Sequence, residues 1–177
     1  GKAVWGPRMW GELHRWALYA VDTTYLDARP MRLAAAETVT ARLDALGAGA
    51  ALQRESAHRR LLDDAVARYD VPRIEREALA VLTASTQLSG RDRADMEGGG
   101  EGNAALDLYM VELYRAPREA WTRTVQLVQP TGYRRLDDLK ALLQQTKMFW
   151  AAQQTDTALP PLTVPYWEGR DSGRRIW

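Results

Sequence analysis

Apolar residues recur along most of the chain at three- and four-residue steps, the period of a helix with one buried face. The pattern predicts six to seven helices. The first runs from about residue 5 to 21 and turns Trp10, Leu13, Ala17 and Val21 to one side. It is entered through Trp5-Gly6-Pro7, and proline suits a first helical position because the N–H it lacks would be unpaired there anyway. A second, near 31–46, presents Ala35, Val39, Leu43 and Leu46. A third, near 51–69, turns Leu52, Leu61, Leu62, Ala65 and Val66 inward and Arg54, Arg59, Arg60 and Arg68 outward. A fourth, near 72–88, presents Ile74, Ala78, Val81 and Leu82. Three more follow near 104–115, 117–129 and 133–154, carrying Leu106, Tyr109, Met110 and Leu113, then Trp121, Val125 and Val128, then Leu136, Leu139, Leu143, Phe149 and Trp150.

The breaks between these runs carry their own chemistry. Gly47-Ala48-Gly49-Ala50 ends the second helix, because glycine takes a left-handed stop without a Cβ clash. Asp70-Val71-Pro72 opens the fourth, with Asp70 as N-cap. Gly90 to Gly102, containing Gly98-Gly99-Gly100, reads as a polar glycine-rich loop and as a domain boundary or an interruption within one larger helical domain. The expected organisation is a helical bundle over 1–90, the loop over 91–102, a helical extension over 103–154 and an extended tail over 155–177. The prolines at 160, 161 and 165 rule out a helix in that tail and favour a polyproline-like path. Ordering such a tail costs entropy, which burial of its large rings on a surface would offset. Tyr166, Trp167, Arg174, Arg175 and Trp177 are therefore interface candidates.

Composition narrows the function classes. The chain has 177 residues, enough for a sizeable core without staples. It has no cysteine, which excludes disulfides, thiolate metal sites, Cys nucleophiles and dithiol redox chemistry. A net charge of +1 gives no general basic field for reading nucleic acid. Arg outnumbers Lys 21 to 3. A need for bidentate, partly buried ion pairs would favour Arg, but GC-rich coding is the better explanation of the bias. No apolar run reaches the roughly 20 residues of a membrane span.

Candidate reactive groups are few. His14 lies near the core face of an aromatic helix and reads as a hydrogen-bonded core histidine rather than a cofactor ligand. His58, flanked by Arg59 and Arg60, reads as a solvated surface residue. The two lack any metal-ligand spacing. Asp63-Asp64 and Asp137-Asp138 are adjacent on helices and so point apart, which suits solvated surface better than acid–base work. Gly98 to Gly102 lacks the Lys-Ser/Thr of a phosphate-binding loop.

The run Trp5-Gly6-Pro7, Trp10, Leu13, His14 and Ala17 resembles the first-helix signature of the Erv/ALR flavin-dependent sulfhydryl oxidases, small helical bundles around FAD. That resemblance implies a C-x-x-C pair near Gln53-Arg54-Glu55-Ser56 and an H-N-x-V-N element near Ser85-Thr86-Gln87-Leu88-Ser89. Neither is present. Trp10 and His14 would be vestiges of the cofactor site. Thiol oxidation needs thiolates to exchange with the substrate and to pass electrons on, and glutamine and serine do neither. A looser likeness joins Glu37, His58 and the stretch Asp70 to Leu79 to the carboxymuconolactone decarboxylase and AhpD-like proteins, which are also all-helical.

The expectation is an all-α, non-catalytic accessory or structural subunit working with other protein subunits, without direct nucleic-acid reading or a membrane span. The Erv/ALR resemblance implies a mitochondrial complex (respiratory chain, ATP synthase or ribosome) or alternatively a viral particle, and Gly1 in place of Met fits either a processed or a trimmed N-terminus. The competing expectation is a ligand- or flavin-binding domain or enzyme, with a pocket around His14 and the N-terminal tryptophans and residual FAD.

Overall fold

Helices account for every regular element in the computed structural model, which describes residues 6–19, 29–95 and 100–145. Eight α-helices stand among the described residues: α1 (Pro7–Tyr19), α2 (Arg29–Ala45), α3 (Ala51–Ala67), α4 (Val71–Thr86), α5 (Gly90–Asp95), α6 (Gly100–Arg115), α7 (Ala120–Val128) and α8 (Leu136–Gln145). No strand occurs among them. The all-α bundle expected from periodicity is the fold. The tail over 155–177, with its five interface candidates, lies outside the described residues.

Two of the expected stops form as the residue chemistry dictates. Gly47 takes φ +67° where α2 ends and a short 3-10 turn, Gly47–Ala50, begins. Asp70 caps α4, its carboxylate accepting from the Arg73 N–H at 3.3 Å, with Pro72 in the first turn. The turn before it is tight: Tyr69 sits at φ 54°, a left-handed conformation that costs a non-glycine residue roughly 1–2 kcal/mol.

The glycine-rich stretch departs from expectation. It is not a loop throughout, because Gly90–Asp95 is helical and α6 already begins at Gly100, ahead of the expected cap Asn103. Ser89 explains α5: its hydroxyl accepts from the Asp92 N–H at 3.1 Å, an N-cap bond that offsets the poor helix propensity of Gly90.

One apolar cluster joins both sides of that stretch. Leu62 and Val66 of α3 and Ile74, Val81 and Leu82 of α4 pack with Leu108, Tyr109 and Met110 of α6, Val128 of α7 and Leu139 and Leu143 of α8. Each fully buried leucine contributes roughly 1.5–3 kcal/mol of transfer free energy. Tyr109 stands edge-on to Trp121, ring centroids 6.1 Å apart. A second, smaller cluster holds Val39 and Leu43 of α2, Ala50 and Ala57, with Trp10 of α1 packed against it.

Two predicted faces are rotated. On α2 the buried set is Ala36, Val39, Thr40 and Leu43, while Leu46 is exposed. On α1, Leu13 is 37% exposed and His14 is fully buried, so the inward face runs through Trp10, Gly11 and His14. Gly11 supplies the reason. A Cβ there would come within 3.0 Å of Gln53 Cγ, so the absence of a side chain lets α1 close on α3 along this edge.

Candidate functional site

Among the described residues a dense cluster of charged side chains lies where α2, α3 and α4 meet. His58 of α3 is buried, and both of its ring nitrogens are engaged. Nδ1 lies 2.7 Å from Glu77 Oε2 on α4, and Nε2 lies 2.9 Å from Asp44 Oδ1 and 3.2 Å from Asp44 Oδ2 on α2. An ionised carboxylate only accepts, so each nitrogen must donate, and a ring donating from both nitrogens is the imidazolium. Burial alone would lower the His58 pKa. The hydrogen bonds and charges of Asp44 and Glu77 outweigh it and raise the pKa to about 9. Asp44 answers in kind: burial pushes its carboxyl up, but the His58 hydrogen bond and charge, with help from Arg54, bring it net below its ordinary value.

Arginines extend the chain of charges at both ends. Arg54 donates from Nε to Asp44 at 3.1 Å and from Nη1 to the Gln87 side-chain oxygen at 2.6 Å, tying α2, α3 and α4 together. Arg76 Nε reaches Glu77 Oε1 at 3.3 Å. Nearby, Arg73 of α4 donates to Glu37 of α2 at 2.7 Å. The line Arg54, Asp44, His58, Glu77, Arg76 alternates in sign throughout. His58 is thus not the solvated surface residue its arginine neighbours suggest. Adjacent helical residues point about 100° apart, so exposure of Arg59 says nothing about residue 58.

Sequence reasoning missed Asp44 and Glu77 as partners, and it missed buried Glu55, which pairs with Arg59 at 2.5 Å. A signal was present. Glu55 and His58 fall in step with Ala51, Leu62 and Ala65, and Glu77 falls beside Ala78 in the stripe of Ile74, Val81 and Leu82.

His14 is the opposite case. It is fully buried, with Arg60 Nη1 3.4 Å from Nδ1, and Nε2 has no hydrogen-bond partner among the described residues. Burial, then the positive charges of Arg60 and His58, hold its pKa down to about 3. It is a neutral ring within the fold, as expected of a core histidine, though less fully hydrogen-bonded. Trp10, the other vestigial candidate, is half-buried against the α2 cluster.

One hollow draws on α1, α3 and the stretch that follows α4. Pro7 and Arg8 of α1, Gln53 of α3, and Gln87 and Ser89 after α4 line a cavity of about 500 Å³. Neither Trp10 nor His14 lines it.

Chemically, the buried centre holds a proton rather than moving one. An imidazolium with both N–H groups bound to carboxylates has no lone pair to accept a substrate proton. Among the described residues no group of three His, Asp or Glu side chains is arranged to hold a metal ion, and no helix is long and apolar enough to cross a membrane. No protein-family model, curated protein or solved structure matches the chain, so the two resemblances rest on the residues that carry them.

Proposed function

We propose that the chain is a non-catalytic accessory subunit of a larger protein assembly. One observation carries this reading: both ring nitrogens of His58 are spent on carboxylates, which makes the most chemically loaded side chain in the fold a brace between three helices. The only other histidine, His14, is buried and neutral, and there is no cysteine to serve as nucleophile or redox group. In this reading Tyr166, Trp167, Arg174, Arg175 and Trp177 make contacts with neighbouring subunits. The Erv/ALR resemblance favours a mitochondrial complex as the setting, and a viral particle is its alternative.

Sedimentation and native mass analysis of source material test the proposal. The chain should migrate with a large complex, and removing residues 160–177 should reduce its incorporation while leaving helical circular dichroism nearly unchanged. Recovery solely as a free monomer contradicts the reading.

The 500 Å³ cavity favours a second reading, a retained ligand- or flavin-binding domain, because its volume falls within the roughly 300–1,000 Å³ of small-molecule sites. A visible absorbance scan separates the two. Near-stoichiometric flavin in purified protein would displace the purely structural reading.

A further inference from the structure

A second hollow, of about 340 Å³, opens between the end of α4, α5 and the connection from α7 to α8. It is lined by Thr86, Arg93, Gly132, Tyr133, Arg134 and Arg135. Three of those six residues are arginines, brought together from two segments about forty residues apart in a chain whose net charge is only +1.

The turn that gathers them is fixed. Gly132 adopts φ +79°, closing the 3-10 turn Gln129–Thr131, and an L side chain there would be strained. The Thr131 hydroxyl donates to the Val128 carbonyl at 2.6 Å and accepts from the Tyr133 N–H at 3.3 Å. Thr86 of α4 donates to the Thr131 carbonyl at 3.2 Å, which binds the turn to the helix across the hollow.

The charges around it are not cancelled from within. Arg135 pairs with Asp138 at 3.0 Å. Arg93 donates from Nη2 to the Ser85 carbonyl at 3.3 Å, a neutral partner that leaves its other N–H groups available. Neither Arg93 nor Arg134 has a carboxylate partner among the described residues. Two guanidinium groups without a carboxylate partner, those of Arg93 and Arg134, line a single small volume beside the paired Arg135. Guanidinium forks match phosphate oxygens two at a time, which ammonium groups do not.

We propose that this hollow binds a small phosphate monoester. A carboxylate brings one charge and one planar edge, enough for a single fork. A phosphate monoester brings close to two charges and three terminal oxygens, enough to engage both Arg93 of α5 and Arg134 of the α7–α8 connection. The volume lies at the low end of the roughly 300–1,000 Å³ typical of small-molecule sites, which suits a compact ligand rather than a nucleic-acid strand. Tyr133, half-buried against the main apolar cluster, is the aromatic residue of this lining.

Isothermal titration calorimetry on the full chain tests this with inorganic phosphate, phenyl phosphate and benzoate as probes. Phenyl phosphate should bind saturably at one site, and inorganic phosphate should compete for that site. Benzoate should bind at least about tenfold more weakly, the value of one charge-assisted contact. Arg134→Ala and Arg93→Ala should each weaken phenyl phosphate binding by about tenfold. Arg42→Ala, an exposed arginine away from the hollow, should leave it unchanged. All three are surface changes and should preserve the helical circular dichroism. Absence of saturable binding overturns the proposal. So does binding that survives both hollow variants, or falls equally in Arg42→Ala.

Discussion

Around Tyr109 and Met110 the chain buries a broad apolar surface contributed by α3, α4, α6, α7 and α8, with Asp107, Glu112 and Thr124 as its polar exceptions. Where α2 meets α3 and α4, the apolar cluster shrinks to Val39, Leu43, Ala50 and Ala57, and beside it lies a histidine clasped between two carboxylates. The first region is held mainly by apolar contacts that are indifferent to protons and roughly additive, with buried Glu112, paired with Arg123 and Arg115, as the ionic exception. The second depends on a network in which each charge is tolerable only while its neighbours remain. Burying such a network adds little net stability compared with apolar side chains of the same size, but removing one member leaves an uncompensated charge in the interior. The difference suggests that the broad core makes the bundle stable, while the charged seam fixes how α2 sits against α3 and α4.

The largest effect should come from the apolar side. Leu82→Ala empties a fully buried position in the broad cluster and should cost about 3–4 kcal/mol of unfolding free energy by urea titration, with little dependence on pH. Glu77→Ala should come next, at about 3 kcal/mol near neutral pH, because it strips a buried partner from the His58 imidazolium. If Glu77→Ala costs nothing, the seam is not an ionic brace.

Titration separates the regions further. The folded chain holds the His58 proton up to about pH 9, whereas an ordinary histidine releases it near 6.5. Stability from this residue is therefore complete below about 6.5 and is lost as pH rises through 9. His14 works in the other direction. Its folded pKa of about 3 lies below the ordinary 6.5, so an unfolded chain binds a proton that the folded chain refuses, and stability falls as pH drops between those values. Asp44, held below its ordinary 3.8, adds a further loss at lower pH still. Urea midpoints should peak near pH 6–7 on these grounds, and His58→Gln should remove the alkaline decline while leaving the acid one.

The smallest effect is expected at His14. His14→Leu replaces a neutral buried ring, one of whose nitrogens lacks a partner among the described residues, and should lie within about 1 kcal/mol of the parent on the stabilising side. A large loss would show that the ring is an indispensable part of the α1 packing.

How far these regions could be read in the sequence follows the same division. The α4 stripe of Ile74, Ala78, Val81 and Leu82 was legible because apolar side chains at helical spacing have one place to go, and Asp70-Val71-Pro72 carried its own start signal. The seam was not. Arg59 and Arg60 made His58 look solvated, and its carboxylate partners lie 14 and 19 residues away on other helices, a juxtaposition that only the packing creates. The rotation of α1 away from Leu13 was hidden for a similar reason, since it depends on Gly11 meeting Gln53. In the glycine-rich stretch, composition outweighed a visible cue: Ser89 followed three residues later by Asp92 is a capping pattern, and it starts α5.

The central claim is that His58 serves as a fixed cation and not as a base. Nitrogen-15 NMR of histidine-labelled protein, titrated across neutral and alkaline pH, addresses it directly. The account predicts that the His58 resonances show protonation of both ring nitrogens at pH 7 and titrate with a midpoint near 9. A His58 midpoint near 6.5, with a neutral ring at physiological pH, would contradict the account and make this residue a candidate base.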